Sequence, residues 1–393
     1  MNFQMLKTEL HKIYYKNVIW IALALFLALF FMFKIQLIDK VGVKYTLEPI
    51  KEELTEVLKN EDLYTTLKSN NYNITNEELL DYMPSEVINY LEQYKGTERV
   101  YNSLTADLRS SIFEYYEKVD GRKEFIQDLE QEISVSTGNE KRAKEKVLEE
   151  YKNSNVNIEL NLESSANNFI DINYSMLFPC LIILMVILGL SGIYSDEYTN
   201  NTESILLTTK KGRTGVFVSK LIASMIYIVS VVVIMELFFG VITSICFHGQ
   251  NFGISAASTY GLSLTNYEGN VLGFYTRQIL GTLLAAFVAG SIVMAISSRS
   301  KNSLIPFFGA GIFYGGTVLY ANSIVFPKFL STLLSLPGEL SLFMLQTQVE
   351  LVAVSRYTSI FGILIPTITV NIIFNILLML ICLFICYRGY VKK

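Results

Sequence analysis

The chain alternates between long apolar stretches and long polar ones, and this pattern predicts its membrane segments. A helix that crosses a bilayer needs about 20 mostly apolar residues. Six stretches have about this length, at residues 18–38, 172–194, 216–247, 271–297, 303–326 and 359–387. They predict an all-α membrane protein with six transmembrane helices. The largest polar stretch lies between the first and second helices, which predicts a large helical insertion there.

Basic residues mark one end of the predicted helices. They lie before the first helix, between the second and third, between the fourth and fifth, and after the sixth: Lys7, Lys12, Lys16, Lys210, Lys211, Arg213, Lys220, Arg299, Lys301, Arg388, Lys392 and Lys393. Short segments rich in lysine and arginine stay in the cytoplasm. We therefore expect both termini to be cytoplasmic and the insertion to be extracellular, in a multi-pass protein of a plasma membrane.

The same pattern gives the domain boundaries. Residues 1–16 are predicted to form a cytoplasmic interfacial helix, because Phe3, Leu6, Leu10 and Ile13 share one helical face. The first transmembrane helix is placed at 17–39, the extracellular helical domain at 40–171 and the second transmembrane helix at 172–194. A cytoplasmic loop follows at 195–215, and the other four transmembrane helices lie within 216–393.

The insertion is acidic and is expected to be helical. It contains 16 lysine and arginine residues against 27 aspartate and glutamate residues, whereas the rest of the chain contains 16 and 9. Helical patterns cover 48–69, 76–95, 97–119, 122–135 and 139–152, and Pro84, Gly96, Gly121 and Gly138 lie between or within them. One interpretation is a solvated, charge-rich surface; the other is a domain that receives a cationic substrate or partner.

Sequence motifs for catalysis and metal binding are missing. The chain has no Gly-Lys dipeptide, and hence no Walker A phosphate loop. His11 and His248 are its two histidines, too few for a usual zinc site, and no Gly-x-Ser-x-Gly motif occurs. The four cysteines lie in or beside predicted membrane helices and none lies in the insertion, which suits a bacterial envelope. We therefore expect no enzyme activity and no metal site in this chain.

The cytoplasmic loop after the second helix carries a short apolar cluster. Asn201 or Thr202 can cap a helix that contains Ile205, Leu206 and Leu207. Basic residues follow at Lys210, Lys211 and Arg213. Such a helix either docks to a cytosolic partner through its apolar face or lies on the lipid surface with its basic residues at the headgroups. The residues alone favour neither interpretation.

This loop resembles the corresponding loop of ABC-2 type permeases, the membrane subunits of ATP-binding-cassette exporters. The matching positions are Glu197, Thr202, Leu206, Leu207, Thr208, Arg213 and Lys220. Asn201 stands where these permeases usually have glycine, and Lys211-Gly212 replaces a common proline-containing pair. The resemblance implies that the loop is a coupling helix seated in a groove of a separate ATPase. The implied ATPase-coupling residues are Glu197, Thr202, Ile205, Leu206, Leu207 and Arg213.

The resemblance also implies a function and a set of partners. The chain would be the permease subunit of a bacterial exporter that moves a peptide, antimicrobial or lipid-like substrate outward. Its partners would be a cytosolic ATPase, a second permease subunit (a copy of itself or a paralogue) and membrane lipid, with no nucleic acid. This chain would bind no cofactor, because ATP and Mg²⁺ belong to the ATPase. Outer re-entrant or surface helices are expected at about 328–352. The alternative is a membrane-anchored sensor or receptor that binds a ligand through the insertion without transport.

Two charged and two small residues inside the predicted membrane helices are further candidates. Glu236 and Arg277 fall toward the outer half of the third and fourth helices, where an isolated charge is costly. They are predicted to form an ion pair or to line a transport pathway. Gly311 and Gly315 form a small-residue face on the fifth helix, which predicts close helix packing.

Overall fold

The structure is a computed structural model that describes residues 3–41, 47–70, 74–162, 170, 177–199, 210–246, 252–259, 261–321 and 340–391. It is mostly helical, as predicted, and also contains one two-stranded antiparallel sheet. The helices are α1 (Phe3–Tyr14), α2 (Asn17–Val41), α3 (Lys51–Val57), α4 (Glu61–Ser69), α5 (Asn76–Leu80), α6 (Ser85–Glu92), α7 (Glu98–Val135), α8 (Gly138–Asn153), α9 (Leu177–Leu190), α10 (Ser195–Thr199), α11 (Lys210–Cys246), α12 (Val271–Ser297), α13 (Leu304–Ala321), α14 (Leu342–Thr347), α15 (Val349–Val352) and α16 (Thr367–Val391).

Long apolar helices make this a membrane-embedded protein. Four segments in the described residues are long and apolar enough to cross a bilayer: Leu177–Thr199, Arg213–Ile245, Val271–Ser297 and Thr367–Val391. α1 and the start of α2 form a pair bent by 55° that would make a fifth, and α13 has a shorter apolar stretch. The long apolar helices thus support a membrane-embedded protein, whereas the number of six crossings stays a prediction.

The helices of the bundle differ in how far they are enclosed. α12 packs against α9, α11, α13, α14 and α16. The most apolar part of the segment that contains α9 is 72% buried and that of α12 is 67% buried, against 17% for α16. Large apolar side chains of α16 such as Leu377, Ile381 and Phe384 are exposed on its outer side. α9 and α12 thus form the interior of the bundle, and α16 presents a wide apolar face to its surroundings.

Within the insertion, residues 47–70 and 74–162 form a helical unit with a hydrophobic core of its own. Its buried side chains come from α3 to α7 and include Leu54, Leu63, Val87, Leu108 and Ile112. Local capping fixes the short helices. The Asn60 side chain accepts the N–H groups at the start of α4, and Thr75 and Glu78 form a capping box on α5.

α7 differs from the sequence prediction. It runs without a break from Glu98 to Val135, although Gly121 was expected to separate two helices. A helix of this length spans about 57 Å. A glycine inside a helix costs only about 1 kcal/mol, and buried residues on both sides of Gly121, from Tyr116 to Leu129, hold α7 in place. α7 and the next helix form a hairpin, in which Leu129 of α7 packs against Val147 and Tyr151 of α8.

The insertion contacts the bundle through the segment between α11 and α12. Lys118 and Arg122 of α7 donate to the carbonyl oxygens of Ser258 and Thr265, at 2.9 and 2.7 Å. Arg122 also donates to the Asn266 side chain at 2.9 Å. These contacts attach the middle of the long helix to the end of the bundle at which α12 begins.

A β-hairpin stands where the start of the last membrane helix was predicted. Strands β1 (Tyr357–Ile360) and β2 (Ile363–Pro366) pair across a two-residue turn, and the membrane helix begins only at Thr367. Phe361 and Gly362 both have positive φ, of 50° and 82°, which a tight hairpin turn of this kind requires. Pro366 disfavours a helical conformation in the residue before it. The predicted helix at 359–387 is therefore wrong at residues 359–366, which belong to the hairpin and its turn.

Candidate functional site

A buried cluster of charges joins four parts of the chain at the end of the bundle opposite the insertion. Lys220 of α11 is only 1% exposed. Its Nζ lies 3.0 Å from Glu9 Oε2 and 2.8 Å from Glu197 Oε1, and it donates to the carbonyl oxygen of Ile193 at 2.5 Å. Glu9 belongs to α1 and Glu197 to α10. One ammonium group therefore binds two carboxylates from distant parts of the sequence.

Two further groups complete this charge cluster. Lys12 Nζ lies 2.6 Å from Glu9 Oε1 and 3.5 Å from Glu197 Oε1. The hydroxyl of Tyr390, near the end of α16, donates to Glu197 Oε2 at 3.0 Å. Two cations thus balance two carboxylates. A buried ion pair repays its desolvation only if the geometry is good and additional hydrogen bonds satisfy the remaining atoms. The cluster meets that condition for Lys220.

The chain around Glu197 is held by backbone hydrogen bonds. After α9 the chain turns, and the N–H groups of Tyr194 and Ser195 both donate to the Ser297 hydroxyl at the end of α12, at 3.2 and 3.1 Å. The N–H of Glu197 then donates to the Tyr194 carbonyl oxygen at 3.2 Å. This turn starts α10 and directs the Glu197 carboxylate toward Lys220. A second ion pair joins Lys16 to Asp196 at 2.9 Å.

The structure places only part of the predicted coupling motif. Glu197 is in the charge cluster, together with Lys220, the last of the positions that match the ABC-2 pattern. Arg213 belongs to α11, which begins at Lys210, so it lies on the membrane helix and not on the predicted loop 195–215. The other predicted coupling residues, Thr202, Ile205, Leu206 and Leu207, lie outside the described residues.

Sequence reasoning missed two members of the cluster, Glu9 and Tyr390. Glu9 falls between Leu6 and Ile13 on the buried face of α1, and an acidic residue on an otherwise apolar face was the available signal. For Tyr390 no such signal exists, because its partner Glu197 is 193 residues away in the sequence.

Glu236 and Arg277 are not brought together. The buried Glu236 carboxylate accepts a hydrogen bond from the hydroxyl of Tyr275 at 3.0 Å. Arg277 Nε donates to the Gln348 side chain at 3.2 Å, and its guanidinium lies 5.8 Å from the centre of the Tyr267 ring. The predicted ion pair is therefore replaced by two separate polar contacts. The first contact connects α12 to α11, and the second connects α12 to the residue between α14 and α15.

Gly311 and Gly315 face open space in the described part of the chain. A Cβ built at either position would meet no atom within 4 Å there. The described helices therefore do not pack on this face of α13. A close approach to backbone occurs at Gly281 of α12, where a Cβ would lie 2.4 Å from the carbonyl oxygen of Leu345. Gly281 lets α14 pack directly on α12.

Amide side chains hold the residues that lead into and form α14. Asn371 and Asn375 of α16 donate to the carbonyl oxygens of Ser341 and Leu340, at 3.2 and 3.3 Å. Gln278 of α12 donates to the carbonyl oxygen of Thr347 at 3.0 Å. Backbone groups of a short helix need such partners when water is excluded. α14 and α15 correspond to the end of the helices predicted at about 328–352, and residues 328–339 lie outside the described residues.

A cavity of about 760 Å³ lies between the insertion and the bundle. Its walls come from α8, from the residues just before and within α12, from α15 and from the hairpin and the start of α16. Six charged side chains are among its lining residues: Lys146, Glu149, Glu150, Glu268, Arg277 and Arg356. The volume is within the range of ligand pockets, about 300–1,000 Å³. No local pattern in the sequence indicated that Arg277 and the carboxylates of α8 would share one cavity.

The described residues show no cluster of three or more histidine, cysteine, aspartate or glutamate side chains that could hold a metal ion. Comparison with protein-family models, with curated proteins and with solved structures finds no match for this chain.

Proposed function

We propose that the chain is the permease subunit of an ATP-binding-cassette exporter in a bacterial cytoplasmic membrane. A separate ATPase binds the loop between α10 and α11, and a second permease subunit completes the transport pathway. The substrate moved outward is a peptide, an antimicrobial or a lipid-like molecule. Four long apolar helices in the described residues, together with the resemblance of the loop to ABC-2 permeases, support this function.

The charge cluster around Lys220 is the observation that carries the proposal. The loop that resembles a coupling helix is flanked by Glu197 and by α11, and both ends are fixed to the same ammonium group. Glu9 attaches α1 to this point, and Tyr390 attaches α16. A force applied to the loop by an ATPase would therefore reach α1, α11 and α16 together. Packed elements with a shared polar junction transmit such movements as rigid bodies.

The test uses the full chain produced together with an ATP-binding-cassette ATPase encoded beside it. Leu206→Glu places a charge on the predicted apolar docking face, and Val135→Glu is the matched control, because Val135 is 81% exposed at the end of α7 in the insertion. Leu206→Glu should abolish co-purification of the ATPase, whereas Val135→Glu should leave it unchanged. Equal amounts of ATPase bound by both variants and by the wild type would contradict the proposed docking site.

A second variant separates docking from coupling. Glu197→Gln removes one charge from the cluster and leaves the apolar docking residues intact. We expect the ATPase to remain bound while ATP hydrolysis is no longer stimulated by substrate. A sensor or receptor without transport predicts instead that neither Leu206→Glu nor Glu197→Gln changes the properties of any bound ATPase. Candidate substrates for this assay are peptides, antibiotics and lipids.

A further inference from the structure

The cavity between the insertion and the bundle has charges of both signs in its lining. Glu149 and Glu150 of α8 and Glu268 of the segment before α12 supply three carboxylates. Lys146, Arg277 and Arg356 supply three cations, so the lining has no net charge. A polycationic or polyanionic ligand would meet repulsion from half of these groups. The charge pattern favours a ligand that itself carries one positive and one negative group.

Arg277 offers free donors at the deep end of this cavity. It is half-buried, and its Nε donates to Gln348. Within the described residues, no protein acceptor binds its two terminal nitrogens. Arg277 is six residues past the start of α12, which places it about 9 Å further into the bundle than that end of the helix. A guanidinium at this depth, with two N–H groups side by side, suits the oxygens of a phosphate.

The carboxylates lie on the insertion side of the cavity. Glu149 is exposed and forms no hydrogen bond or ion pair with the described residues. Glu268 is also exposed and accepts the backbone N–H of Asn155 at 2.9 Å. Glu150 accepts a hydrogen bond from the hydroxyl of Tyr357, which also lines the cavity, and Lys146 Nζ lies 4.4 Å from the centre of the same ring. An ammonium group would therefore meet Glu149, which has no hydrogen bond or ion pair with the described residues, farther from the membrane than Arg277.

Apolar side chains complete the lining near the bundle. Leu351 of α15 and Ile368 at the start of α16 line the cavity together with Pro366. The hairpin that contributes Tyr357 and Pro366 to the lining also exposes the apolar side chains of Phe361 and Ile363. Chains that leave the cavity beside Pro366 would thus meet an exposed apolar surface.

From this order of groups we infer that the cavity binds a zwitterionic phospholipid with an ammonium headgroup. The phosphate binds Arg277, the ammonium binds Glu149 beside Glu150 and Glu268, and the acyl chains leave beside Pro366. Phosphate deeper and ammonium farther out is also the order of these groups in a bilayer leaflet. The site therefore takes a lipid from the leaflet on the insertion side. The inference concerns binding by this chain alone and does not depend on the ATPase.

Lipid binding is measured with the purified, delipidated full-length chain in detergent. Short-chain phosphatidylethanolamine is the probe, phosphatidylglycerol lacks the ammonium group, and glycerophosphoethanolamine lacks the acyl chains. We expect phosphatidylethanolamine to bind about tenfold more tightly than phosphatidylglycerol or glycerophosphoethanolamine, a difference of about 1.4 kcal/mol in binding free energy. Equal binding of phosphatidylglycerol would contradict the ammonium site, and equal binding of glycerophosphoethanolamine would contradict the lipid assignment.

Variants place the binding in this cavity. Arg277→Gln should weaken phosphatidylethanolamine binding about tenfold, as expected for loss of a charge-assisted contact. Glu149→Gln changes an exposed side chain that folding does not need, and should weaken binding about threefold. Glu145→Gln is the matched control, because Glu145 is an exposed carboxylate of α8 outside the cavity. The inference is overturned if Glu149→Gln and Glu145→Gln bind the lipid equally well. It is also overturned if a cationic amphiphilic peptide, and not the lipid, binds in a manner that depends on Glu149 alone.

Discussion

Replacing Lys220 with methionine removes the ammonium group that holds the buried charge cluster together. The side chain that remains has a similar length and fills the same space, so the change is mainly electrostatic. The carboxylates of Glu9 and Glu197, now 3.0 and 2.8 Å from Lys220 Nζ, would keep Lys12 as the cation that contacts both of them. The Lys12 side chain is 49% exposed and cannot replace a fully buried partner.

The size of the effect follows from this burial. Breaking a buried pair by removing one partner costs about 3–5 kcal/mol, because a charge is left without compensation. The Lys16–Asp196 pair is the internal control, since it also links the region of α1 to α10 but its side chains are 35% and 40% exposed. Its loss in Lys16→Met should cost less than about 1 kcal/mol. The two lysines therefore differ by several-fold in their expected contribution to the free energy of unfolding.

The assay is equilibrium unfolding of the full chain in mixed micelles, with trypsin cleavage within α1 as a local probe. Lys220→Met should lower the free energy of unfolding and speed cleavage near Lys12. Adding Glu9→Gln and Glu197→Gln to Lys220→Met should restore part of the lost stability, because no buried charge then remains unpaired. Equal destabilisation by Lys220→Met and Lys16→Met, or a triple variant less stable than Lys220→Met, would refute this account of the cluster.

Two other contacts give independent predictions. Gly281→Val should destabilise the protein by about 1–3 kcal/mol, because its Cβ would lie 2.4 Å from the Leu345 carbonyl oxygen. Gly311→Val is the control and should change thermal stability little, because a Cβ there meets no described atom within 4 Å. Equal melting temperatures of the two variants would contradict the packing of α14 on α12. Arg122→Gln should weaken the contact of the insertion with the bundle and speed limited proteolysis between α11 and α12, because Arg122 donates to that segment. Arg109→Gln, a change on the same helix α7, is the control. Equal cleavage rates in the two variants would exclude the proposed attachment.

The sequence predicted the features that depend on local composition. Runs of about 20 apolar residues identify membrane helices wherever they occur, and α12 lies at residues 271–297 as expected. The hairpin at residues 357–366 was missed because its β-branched and apolar residues also fit a membrane helix. The turn at Phe361 and Gly362, followed by Pro366, is what distinguishes a hairpin from a continuous membrane helix here.

The candidate sites were harder to predict because they depend on contacts between distant residues. Lys220 and Glu9 are 211 residues apart in the sequence, and no periodicity connects them. The interpretation of Glu236 and Arg277 as a pair rested on the cost of isolated charges in a membrane, which is correct physics. In the structure Glu236 accepts from the neutral Tyr275, and Arg277 donates to the neutral Gln348. The sequence does not distinguish these partners from the other polar side chains of the bundle.

The most direct test of the proposed function is co-purification of the full chain with the ATPase encoded beside it, followed by measurement of ATP hydrolysis. The account predicts a stable complex for the wild type and for Val135→Glu, and loss of the ATPase in Leu206→Glu. It also predicts that Glu197→Gln keeps the ATPase but loses stimulation of ATP hydrolysis by substrate. A complex that forms equally well with Leu206→Glu, and hydrolyses ATP at the same rate, would contradict the assignment of this chain as a coupled permease subunit.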